Sequence, residues 1–66
     1  MTYTTRKAAH KQINAAYGNL ETALAHLLKV KEDYQVDHPE ISEAVEAVMV
    51  NLLQCQELIA RLKRSF

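Results

Sequence analysis

Sixty-six residues make one small domain at most, too small to close a catalytic cleft off from water. Eight Lys+Arg against eight Asp+Glu argue against a strongly basic nucleic-acid module, and 48% hydrophobic with 24% charged residues is too apolar for intrinsic disorder. One Gly and one Pro leave almost no turn material for a sandwich, a barrel or a glycine-loop nucleotide site, and a single Cys excludes an intramolecular disulfide and every multi-cysteine zinc site.

The segment from Met1 to His10 has no apolar h-region, so it does not read as a secretory signal. The longest apolar run, Ala47-Val-Met-Val50, falls far short of the roughly 20 residues that a membrane span needs. A cytoplasmic location without a membrane partner is the expectation.

Two periodic segments follow a heptad rule. In the first, Ala9, Ile13, Ala16, Leu20, Ala23, Leu27, Val30 and Tyr34 alternate steps of four and three. In the second, Ile41, Val45, Val48, Leu52, Cys55, Ile59, Leu62 and Phe66 do the same. All are apolar, at the spacing of one helical stripe, and strand alternation appears nowhere over a comparable length. The spacing predicts two long helices, the first over about 5–35 and the second over about 39–64, joined by a turn at about 36–38.

Thr4 or Thr5 is the expected N-cap of the first helix. Gly18 is its one flaw, but the heptad phase passes unshifted from Ala16 to Leu20, so a continuous helix is expected. In the connection, Pro39 forces His38 out of the α region and suits the first turn of a new helix. Asp37 and Glu40 have capping-box spacing, and Val36 is placed to staple onto Ile41. So short a connection obliges the helices to run antiparallel as neighbours. The predicted fold is all-α, a single antiparallel helical hairpin of two long helices. In architecture it resembles the small helical-hairpin homodimers, a likeness that implies an arrangement and no function.

Apolar residues remain after one seam is filled. Tyr17 and Leu24, with Leu28 beside them, sit on one shoulder of the first stripe. Met49 and Leu53 flank the second, and Ala44 and Leu58 lie on its other side. Between Gln12 and Leu28 the only charge is Glu21, and between Ala47 and Gln56 there is none. A face this wide suits a bundle of four or more helices, so a homodimer or a higher homo-oligomer is expected, with Tyr17, Leu24, Leu28, Met49 and Leu53 as its interface.

Chemistry-bearing residues are sparse. His10, His26 and His38 fall near the start, middle and tip of the hairpin and cannot share one metal. Cys55 occupies a stripe position, as a small hydrophobe would. Glu40/Glu43 and Glu43/Glu46 read as a solvated, helix-starting face. No catalytic, cofactor-binding or metal set is expected, and no enzyme.

Charge is segregated. Arg6, Lys7, Lys11, Arg61, Lys63 and Arg64 gather where the two ends of the chain meet. Glu32, Asp33, Asp37, Glu40, Glu43 and Glu46 gather near the turn, diluted by Lys29 and Lys31. Either the basic end lies along the acidic end of a mate, or these six cations bind an anionic partner such as nucleic acid. The leading expectation is a non-enzymatic interaction or scaffold module that self-associates through helix faces, or joins another protein. A small regulatory nucleic-acid-binding dimer using the basic end is the alternative.

Overall fold

A computed structural model describes residues 3–66. Two helices, α1 (Tyr3–Tyr34, 32 residues) and α2 (Pro39–Arg64, 26 residues), pack against each other as a hairpin. The apolar stripe repeated along each helix needs cover, and the short turn supplies the other helix as that cover.

The helix ends are set by local chemistry. α1 begins at Tyr3, so Thr4 and Thr5, expected to cap it, stand inside its first turn instead. At the connection the His38 N–H donates to the Tyr34 carbonyl at 2.9 Å and closes the end of α1. His38 is the N-cap of α2, with φ −140° and ψ 72°, and Pro39 takes the first helical position. The expected capping box does not form, because Pro39 keeps the residue before it out of the helical region and thereby makes His38 the cap in place of Asp37. The His38 carbonyl accepts from the Ile41 and Ser42 N–H groups at 3.0 and 3.3 Å. Its Nδ1 lies 3.4 Å from Glu40 Oε1. Nor does the staple close: Val36 is 89% exposed.

α1 runs through Gly18 without interruption, and a Cβ built there meets nothing within 4 Å. Gly18→Ala is therefore expected to stabilise the fold by about 1 kcal/mol, through lower chain entropy in the unfolded state. A thermal melt should show a midpoint higher by about 4–8 °C.

The seam is not the stripe that the heptads first suggest. Ile13, Leu20 and Leu27 of α1 and Val45, Leu52 and Ile59 of α2 are half-buried, as that stripe requires. Their partners are shifted by one residue. On α2, Ser42 and Gln56 are the buried side chains, each 6% exposed, and Met49 is half-buried. Ile41, Val48, Cys55 and Leu62 stay exposed. On α1, His10, Leu24 and Lys31 are half-buried, but so are Ala9 and Ala23, whereas Ala16, Tyr17 and Val30 are exposed. α2 is thus rotated about half a residue from the expected setting, and α1 follows in part. The rotation brings the bulk of Leu24 and Met49 to the seam, which buries more apolar area than alanine would. On α2 it admits polar residues, and Gln56 is satisfied there: its Nε2 donates to the Tyr17 carbonyl at 3.3 Å.

The result is a thin, elongated slab of 54 × 15 × 9 Å with a radius of gyration of 15.7 Å. A compact chain of this length would have about 11 Å. Among the described residues no apolar side chain is fully buried.

Candidate functional site

In an antiparallel pair, equivalent heptad positions of the two helices project from the same side of the hairpin. One flank can be read from its contacts. Asn14, Tyr17, Ala60 and Lys63, with Ile13 and Ile59 at the bottom, line a shallow open groove. Farther along this flank Lys31 Nζ lies 3.6 Å from Glu46 Oε2. Leu28 and Leu53 stand here as well, both exposed, beside Glu21 and Glu46.

The opposite flank has a different character. It carries Ala9, Ala16, Ala23 and Val30 from α1 and Ile41, Val48, Cys55 and Leu62 from α2. Next to them along α2 come Ala44, Asn51 and Leu58, and along α1 Gln12, Asn19 and His26. Val48 is 48% exposed, Leu62 49% and Leu58 60%. No charged residue interrupts the stripe, and its α1 half is made of small side chains that let another helix approach closely. A contiguous apolar surface of this kind on a small domain marks an interaction site.

The five residues expected at an oligomer interface therefore divide. Leu24 and Met49 are half-buried at the seam within the hairpin, Tyr17 is exposed in the groove beside it, and Leu28 and Leu53 lie on the flank that also holds charges. The residues of the uncharged flank are those that the heptad spacing assigns to the seam. The signal that separates them lies in α2, where Ser42, Gln56 and Lys63 form the polar stripe and Ile41, Val48, Cys55 and Leu62 the apolar one.

The hairpin brings its ends together as a second surface. Arg6 Nε donates to the Phe66 backbone oxygen at 2.8 Å, tying the start of α1 to the end of the chain. The His10 ring packs edge-on against Phe66 with centroids 6.4 Å apart, and its Nε2 is buried without a hydrogen-bond partner. Arg6, Lys7, His10 and Phe66 line an open depression here. Arg61, Lys63 and Arg64 occupy the last turn of α2, where they complement its dipole. Arg61 Nη2 lies 2.9 Å from Glu57 Oε1. Among the described residues, Lys7, Lys11, Lys63 and Arg64 form no ion pair. The same holds at the turn end for Glu32, Asp33, Asp37 and Glu43. The slab thus carries unneutralised positive charge at one end and negative charge at the other, on the order of 45 Å apart by helix rise.

Among the described residues no three His, Cys, Asp or Glu side chains gather as metal ligands, and no helix is long and apolar enough to cross a membrane. Cys55 is a free, exposed thiol between Gln54 and Gln56, with no cation or histidine of its own helix turn to activate it. The arrangement supplies two surfaces for contact, one apolar and one charged. No protein-family model, curated protein or solved structure matches the chain.

Proposed function

We propose that the chain acts as a non-enzymatic interaction module that self-associates, two hairpins stacking to form a four-helix bundle. The residues that meet are those of the uncharged flank: Ile41, Val48, Cys55 and Leu62 of α2 against their counterparts, with the small residues Ala16 and Ala23 of α1 allowing close approach. The observation that carries the reading is the missing interior. The hairpin exposes 5150 Å², whereas a compact protein of 7.5 kDa exposes about 4200 Å². The excess is on the order of the 800 Å² that each partner buries in a stable dimer. Covering the apolar flank turns half-buried stripes into a core, which a lone hairpin of this size lacks the apolar area to build.

Sedimentation equilibrium at micromolar concentration tests the proposal. A dimer is expected, and a folded, helical monomer over that range overturns it.

A further inference from the structure

We infer that the two hairpins of the dimer lie end for end, the turn of each over the basic end of its mate. This rests on the self-association just proposed and adds what orients the copies. Two stacked slabs related by a two-fold axis have two simple arrangements. In one the turns coincide; in the other they lie at opposite ends. If they coincide, the two acidic turn ends lie side by side, and so do the two basic ends. Like charges that no partner within the chain neutralises are then doubled at each end. End for end, each charged end lies beside its opposite.

The rim of the apolar flank carries the same message residue by residue. At seven-residue spacing, Glu40, Ala47, Gln54 and Arg61 share one edge of α2. An acid stands at one end of that edge, a base at the other, and two uncharged residues between them. In the end-for-end dimer α2 packs antiparallel to the mate's α2, so that Glu40 approaches the mate's Arg61 and Arg61 the mate's Glu40. With the turns together, α2 packs on the mate's α1 instead, and Arg61 approaches the region of Lys7 and Lys11. The apolar stripe suits either arrangement. The charges choose.

The basic cations of α1 gain a reason in this arrangement. Arg6 and Lys7 sit in the first turns of a helix with no acid in its first turn, where they oppose the helix dipole. The acidic turn of a mate offsets that local misfit. The basic end is then a contact between copies and not an open site for a polyanion.

The test is a nitroxide spin label at Gln35→Cys in a Cys55→Ala background, with sedimentation run on the same labelled sample. Electron–electron distances on the order of 45 Å are expected between the two turns, given the helix rise. A dimer with labels within about 20 Å, about half the end-to-end rise of α2, overturns the end-for-end arrangement and leaves self-association standing. A folded monomer overturns both when the unlabelled wild-type chain, with Cys55 in place, is monomeric as well. The unlabelled wild-type chain supplies a second readout. At low salt Arg61→Glu should weaken the dimer roughly tenfold, the loss of one exposed ion pair at each of two equivalent sites, and adding Glu40→Arg should return most of that loss. Absence of rescue overturns the pairing. So does steeply salt-dependent binding of a short RNA duplex by the wild-type dimer, because the basic ends would then be free.

Discussion

Val48→Glu is expected to dissociate the proposed dimer while leaving the hairpin helical. Val48 is half-exposed in the single chain and stands mid-way along the uncharged flank, so a carboxylate there meets water until a second copy arrives. Glutamate is a better helix former than valine, and α2 itself is not weakened. Burying the carboxylate in the contact costs about 2 kcal/mol or more, and a two-fold dimer incurs it twice. The dissociation constant should rise roughly a thousandfold, since each 1.4 kcal/mol is tenfold. Leu53→Glu is the matched control. Leu53 is exposed to a similar degree but belongs to the flank with Glu21 and Glu46. Its substitution should leave the constant within about threefold, as for a surface change. Equal effects of the two, measured by sedimentation, would mean that the interface lies elsewhere.

Leu24→Glu should behave differently, because it attacks the hairpin and not the contact between hairpins. Leu24 is half-buried at the seam with Leu20 on the turn before and Leu27 on the turn after. Removing its side chain and introducing a carboxylate costs about 2–3 kcal/mol at a site that keeps partial access to water. A chain of this length has roughly 3–5 kcal/mol of stability in total. The thermal midpoint should fall by about 10–20 °C, with helical circular dichroism lost in step. Leu24→Met keeps volume and apolarity and should cost under about 1.5 kcal/mol. If Leu24→Glu instead gave a helical monomer with an unchanged midpoint, Leu24 would be an outer residue and the seam would be misplaced.

The contrast between Leu24 and Val48 marks where the sequence is legible and where it is not. The positions common to both settings of the helices, such as Ile13, Leu20, Leu52 and Ile59, follow from periodicity alone, and so do two long helices folded back on each other. The neighbour that joins each of them at the seam does not follow. Along α1 the choice lies between Ala9, Ala16, Ala23, Val30 and His10, Tyr17, Leu24, Lys31. Along α2 it lies between Ile41, Val48, Cys55, Leu62 and Ser42, Met49, Gln56, Lys63. Each helix has apolar candidates on both sides of its central stripe. A hairpin fixes both choices together, because rotating the seam toward one flank on α1 uncovers the corresponding flank of α2. Periodicity treats each helix separately and has no access to that coupling. The turn has a similar lesson on a smaller scale. Asp37 has the better side chain for a cap, but the backbone constraint of Pro39 acts on His38 and decides the boundary. Charge segregation, by contrast, needs no side-chain geometry, since folding back at the turn is enough to gather six cations at one end.

The proposed dimer ties the folding of this hairpin, in which no apolar side chain among the described residues is fully buried, to its abundance. In that assembly part of the burial is supplied by another molecule, and mass action raises the folded fraction with the amount of chain present. Scarce chain would then spend more of its time open, within reach of proteases that act on the open form. Under the proposal, the thinness of the slab makes each newly made copy a stabiliser of the others.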